Sequence, residues 1–255
     1  LSVFRVLRDK KGTVYIEPIL ATVLGLVAIF ILYLWFLGKD RPIEKAAQSY
    51  LQALATGDLA AAREVSEGRA AEAAGMLEGK NLAARVDEIS TSLQALGHDW
   101  ARVKATVELT LKDGTADVGW YELDVMKETD GWKVVSFREG APDLSGWSLV
   151  LGRAGDVEAA KEVFADYLEA LAAGKWDEAV KYLAGPARKS MEASRDVLSK
   201  GKIIGRVDDL QAKLVWASGK EMVVEFSYKV DGRNVNLMTT FYRTIDKWKV
   251  VEIGK

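Results

Sequence analysis

The apolar positions between residues 43 and 55 recur at helical spacing. Ile43, Ala46, Ala47, Tyr50, Leu51, Leu54 and Ala55 fall at i, i+3, i+4, i+7, i+8, i+11 and i+12, a single stripe down one helix face. The stripe returns downstream as Ala160, Val163, Phe164, Tyr167, Leu168, Leu171 and Ala172. Gly57 and Gly174 then stand where a helix end needs a residue free to take positive φ. Short helices are predicted at Leu59–Ser66 and Arg69–Leu77, and again at Asp177–Leu183 and Ala187–Leu198, with Pro186 fitting the first turn of the last.

After the helices the period changes to two. Val103, Ala105, Val107, Leu109 and Leu111 alternate with polar neighbours, as do Met222, Val224, Phe226, Tyr228 and Val230, the pattern of strands with one buried face. An earlier strand is predicted at Ala84–Leu96 and at Gly205–Ser218. Asp113-Gly114 and Asp231-Gly232 read as hairpin turns into strands Asp117–Lys127 and Arg233–Thr244. Asp130-Gly131 and Asp246-Lys247 turn again into Trp132–Phe137 and Trp248–Ile253.

Both halves therefore read α-α-α-β-β-β-β, and the residues themselves repeat. Tyr50–Ala62 matches Tyr167–Ala179 in seven of thirteen positions at an offset of 117 residues. Val107-Glu108-Leu109-Thr110 aligns with Val224-Glu225-Phe226-Ser227 at the same offset, and Asp130-Gly-Trp132-Lys-Val-Val135 answers Asp246-Lys-Trp248-Lys-Val-Val251. Three blocks in one order at nearly one spacing indicate a duplicated α+β domain. The expected division is a tail and apolar segment over 1–41, a first domain over 42–140, a linker over 141–155 and a second domain over 156–255. The linker is turn-rich, yet Trp147, Leu149, Val150 and Leu151 are too apolar for a free tether and are expected to pack on a domain.

One segment belongs to neither copy. Residues 19–37 run ILATVLGLVAIFILYLWFL without a charge. At about 1.5 Å rise per residue this is roughly 29 Å of helix, close to the thickness of a bilayer core. Tyr15, Tyr33 and Trp35 suit the interfaces. A cleaved signal peptide would have a shorter apolar region and a small-x-small site, whereas Leu37 leads straight into Gly-Lys-Asp-Arg-Pro. The segment is expected to cross the membrane once, contacting lipid through residues 19–37. Arg5, Arg8, Lys10 and Lys11 precede it, against Lys39, Arg41 and Lys45 after it, so the tail is expected inside the cell and both domains outside the cytoplasm. The chain opens on Leu1, as expected of a sequence lacking a few N-terminal residues.

Charge and composition narrow the chemistry. A formal net charge of -2 conceals an acidic first domain, with seventeen acids against eleven bases over 42–140 and sixteen against seventeen over 156–255. No basic face of the kind nucleic acid requires is present, so nucleic acid is not an expected partner. With no cysteine and one histidine, His98, thiolate and multi-histidine metal sites are excluded. No calcium loop, phosphate loop or nucleophile elbow occurs.

The Y-L-x-A-L-A-x-G helix ending, the order of elements and the closing D-x-W-K-V-V strand make each unit resemble the nuclear-transport-factor-2-like (NTF2-like) superfamily of cone-shaped α+β domains. One membrane helix followed by two such units is similar in layout to TcpC-type conjugative-transfer proteins of Gram-positive bacteria. That resemblance implies a non-catalytic assembly part of a secretion channel, with envelope proteins or a second copy as partners.

Enzymes of the superfamily place an Asp, His or Tyr inside the cone. Arg85-Val86-Asp87 and Arg206-Val207-Asp208 recur at the start of the first strand of each copy. Strand period sets Arg and Asp side by side, which favours an ion pair over a tuned general base. His98 lies in a turn-like stretch with no partner at fixed spacing. Trp132 and Trp248 hold matching places and are expected to pack beneath the helices rather than form an aromatic ligand box. Trp120-Tyr121 stands where the second copy has Leu237-Met238, so the surfaces have diverged over a retained core. No catalytic, cofactor-binding or metal-ligating residue is assigned, and no cofactor is expected. Three classes remain: a tethered assembly module, then a small-molecule sensor with hollow cones, then an isomerase or hydrolase using Asp87 or Asp208.

Overall fold

The computed structural model describes residues 26–27, 41–76, 83–145, 148, 153–195, 204–245 and 247–254. Residues 41–56 are helical (α1), followed by α2 (Leu59–Glu64) and α3 (Gly68–Met76). Strands β1 (Ala83–Leu96), β2 (Trp100–Leu111), β3 (Ala116–Glu128) and β4 (Gly131–Glu139) form an antiparallel meander in sequence order. The second unit repeats the plan. It has α4 (Ala154–Ala172), α5 (Trp176–Ala179), a 3-10 turn over Val180–Tyr182, α6 (Gly185–Ala193), and strands β5 (Val207–Ser218), β6 (Glu221–Val230), β7 (Arg233–Arg243) and β8 (Trp248–Gly254).

The local reasons recur with the sequence. After α1, the Gly57 amide donates to the Leu54 carbonyl and the Asp58 amide to the Ala53 carbonyl. After α4, Gly174 and Lys175 do the same to Leu171 and Ala170. These paired bonds form a Schellman cap, which needs the left-handed φ of +75° at Gly57 and +69° at Gly174. Asp231 and Gly232 both take positive φ, 47° and 78°, in the two-residue turn that matches the twist of β6 and β7. In each copy the segment before the third helix adds one parallel bridge to the last strand, Ser66 to Val134 and Leu183 to Val250.

Each unit closes its own core. The stripe of α1 packs with Val103, Ala105, Val107, Leu123 and Val125 on the inner face of the first sheet. The stripe of α4 packs with Met222, Val224, Phe226 and Phe241. Two expectations need adjustment. The helix predicted over Asp177–Leu183 is one turn of α-helix that tightens into the 3-10 turn, and α6 starts two residues earlier than predicted.

The expected membrane span, residues 19–37, lies outside the described residues apart from Leu26 and Val27, which are helical. Among the described residues no helix is long and apolar enough to cross a membrane. The linker residues Trp147, Leu149, Val150 and Leu151 also lie outside them. Ser148 is described, and its hydroxyl accepts from the Ala217 amide at 3.2 Å.

Candidate functional site

In the first unit Tyr50 is fully buried, and its hydroxyl donates to the Ala70 carbonyl at 2.7 Å. Its ring meets Phe137 edge-on at 5.7 Å, and Phe137 stacks on Tyr121 at 5.1 Å. Burial pushes the Tyr50 and Tyr121 hydroxyls up to about 12. In the second unit Phe164 stacks on Phe226 at 4.2 Å, with Phe241 and Tyr228 against them. Aromatic side chains occupy both interiors. One polar atom there stands alone among the described residues: the buried Thr239 hydroxyl has no hydrogen-bond partner.

The repeated Arg-x-Asp pairs are ion pairs, with Arg85 and Asp87 both on β1 and Arg206 one residue ahead of β5. Arg85 Nε donates to Asp87 Oδ1 at 2.5 Å and Arg206 Nε to Asp208 Oδ1 at 3.0 Å. The copies differ in burial. Asp208 is half-buried, its side chain 44% exposed, whereas the Asp87 side chain is 5% exposed and also accepts from the Thr110 hydroxyl at 2.6 Å. Asp87 is the extra residue of a β-bulge between Val86 and Glu88, which the sequence period does not reveal. His98 is fully in solvent, 3.6 Å from Asp99. Trp248 is buried in the second core and Trp132 packs against the first. Among the described residues no three acidic or histidine side chains converge as metal ligands.

The outer face of the first sheet carries the structure that sequence reasoning missed. Val118 and Trp120 lie on the face opposite the core residues of β2, where they meet Ala184, Tyr242 and Val251 of the second unit. Trp120 and Tyr242 pack edge-on at 5.5 Å. Asp117 accepts from the Gly185 amide at 2.6 Å, Arg188 reaches Thr115 at 3.2 Å and Lys189 pairs with Glu139 at 2.6 Å. The two copies are therefore joined head to tail, the outer sheet face of one against the helix-and-strand end of the other.

A charged cluster sits inside this joint. Glu88 and Glu108 are direct partners across β1 and β2. Lys220 of the second unit bonds both, Glu88 at 2.8 Å and the buried Glu108 more closely, while the Tyr242 hydroxyl donates to Glu108 at 2.8 Å. Burial alone would lower the Lys220 ammonium, but its bonds to Glu108 and Glu88 outweigh this and raise it. The same lysine holds the Glu88 carboxyl below its ordinary value. Burial, followed by the bond to Glu108, pushes the Tyr242 hydroxyl well up.

Beside the cluster is a cleft of about 140 Å³. Its floor is the outer face of β1 to β3, including Ser90, Thr106 and Lys104, and its walls are the chain at 140–143 and Glu221. Glu221 Oε1 accepts from the Trp120 indole at 3.2 Å. Burial pushes the Glu221 carboxyl up, and that bond offsets part of the rise.

No protein-family model and no curated protein matches this chain. Among solved structures it is similar to a nuclear-transport-factor-2-like protein involved in plasmid conjugation, with 10% identity and a TM-score of 0.31 over 81% of this chain and 94% of that one. It is similar to a cystatin-like protein from Ruminococcus gnavus, with 11% identity and a TM-score of 0.27 over 79% of this chain and 72% of that one. A third likeness is to Bd1075 of Bdellovibrio bacteriovorus, with 16% identity and a TM-score of 0.31 over 41% and 42% of the two chains. Scores of this size carry no functional inference.

Proposed function

We propose that this chain is a non-catalytic interaction or assembly protein of the bacterial cell envelope, and that it serves as a component of a conjugative-transfer channel. In this reading residues 19–37 anchor it in the membrane, and two nuclear-transport-factor-2-like units stand outside the cytoplasm. The observation that carries the reading is the filling of both cones. Tyr50, Tyr121 and Phe137 in one, and Phe164, Phe226 and Phe241 in the other, occupy the volume in which a substrate would sit. The two acids best placed by sequence for proton transfer, Asp87 and Asp208, are each spent on an arginine.

The joint supports the same reading. A tandem pair held through a buried tryptophan and a shared lysine presents its remaining surfaces in one fixed relation, which suits a building part. The layout of one apolar segment followed by two units adds the similarity to conjugative-transfer proteins.

The test is crosslinking of the full chain in intact donor-cell membranes, with the adducts identified by mass spectrometry. Adducts to envelope proteins of the transfer apparatus, or to a second copy, are expected. Recovery of the monomer alone, from cells that transfer DNA normally without this chain, would contradict the proposal.

A further inference from the structure

The cleft against Glu221 takes no part in that assembly reading, and its charges are unevenly satisfied. Glu122 has Arg138, Asp143 has Lys104, and Glu88 and Glu108 share Lys220. Half-buried Glu221 accepts from two neutral donors, the Trp120 indole and the Asp143 backbone amide, and no cation pairs with it among the described residues. A carboxylate withdrawn from water without a cation is costly, and a ligand that supplies one recovers that cost.

The sign of the ligand follows from the same ledger of charges. Lys104, the cation on the floor, is 3.1 Å from Asp143, so an anion entering the cleft would compete with an existing pair. The charge without a counter-ion is the negative one of Glu221. The cleft's volume of about 140 Å³ corresponds to roughly four or five water-sized groups. Hydroxyl-bearing Ser90 and Thr106 stand opposite each other on its floor and offer a second anchor.

We propose that this cleft binds a small organic ammonium ion, its N–H groups donating to the Glu221 carboxylate and a polar tail reaching Thr106. The site lies between the two units rather than inside either cone, so an occupant touches β2 and β3 of the first and β6 of the second at once. Its existence depends on the joint alone, and the proposal stands or falls independently of membrane anchoring and of conjugative transfer.

The experiment is calorimetric titration of the full chain in detergent micelles with ethanolamine, and with ethylene glycol as a neutral analogue of the same size. Saturable one-site binding of ethanolamine, no binding of ethylene glycol, and binding at least about tenfold weaker in Glu221→Gln are expected. The glutamine still accepts from the Trp120 indole, so the joint is retained. Absence of saturable ethanolamine binding overturns the proposal, as does equal binding by folded Glu221→Gln. Should that variant fail to fold, Thr106→Val decides, because it leaves the carboxylate in place. Weaker binding supports the tail contact and undiminished binding rejects the site.

Discussion

Glu88 and Glu108 face each other directly across β1 and β2, and one lysine from the other unit, Lys220, bonds both. Two like charges at cross-strand partners destabilise a sheet unless a cation lies between them. The first unit alone therefore carries a repulsion that only docking of the second relieves. Lys220→Met leaves the buried Glu108 with the Tyr242 hydroxyl alone and is expected to cost about 2 kcal/mol in urea unfolding. Adding Glu108→Gln to that variant should restore part of the loss, which a double-mutant cycle measures.

Two matched glycines test how tight the joint is. Gly68 and Gly185 both take left-handed φ, +54° and +53°, at the start of the third helix of their units. A Cβ at Gly185 would lie 2.8 Å from the Val118 carbonyl and 2.9 Å from the Trp120 ring, whereas at Gly68 the nearest atom is 3.7 Å away. Gly68→Ala should cost only the backbone strain, about 1 to 2 kcal/mol. Gly185→Ala should cost more and split thermal unfolding into two transitions, because it forces the units apart.

The repeat, the glycine caps and the hairpin turns were legible in the sequence because each is written locally. Gly57 and Gly174 are required by a φ that other residues resist, and Asp231-Gly232 by a turn of two positive φ values. The Arg85–Asp87 pair was legible for the same reason, being two residues apart on one strand. The joint was not. Its lysine and its two acids lie more than a hundred residues apart in sequence, and each alone reads as a solvated strand position. One signal did point there: Trp120 replaces Leu237 at an otherwise matching place, and an added tryptophan on an outer face marks a surface that is covered.

The segment after β4 gives a pH signature. The Ser145 hydroxyl and amide, with Lys104, pull the Asp143 carboxyl down to about 2 from 3.8. A lowered folded-state value means the stabilisation is present above the unfolded value and is lost as pH falls from about 4 towards 2. Asp143→Asn should lower stability at neutral pH, by an amount that solvent screening of this half-exposed side chain keeps small, and should flatten the acid loss across that window until variant and parent converge near its lower end. Denaturation series at several acidic pH values read both.

Thr239 offers a gain rather than a loss. Its hydroxyl is buried in the second core without a partner among the described residues, and Thr239→Val removes it at nearly constant volume. An increase of about 1 kcal/mol is expected in the same unfolding assay, since the desolvated hydroxyl no longer has to be accommodated.

The absence of cysteine makes topology directly measurable, because each introduced thiol is the only one present. Single Ser2→Cys and His98→Cys chains, exposed in intact cells to a membrane-impermeant maleimide, report the two sides of the apolar segment. An anchored chain with exported domains labels at His98→Cys before lysis, labels at Ser2→Cys only after it, and stays with the membranes through an alkaline carbonate wash. Release of the full chain into the soluble fraction, with both positions shielded until lysis, would contradict the account.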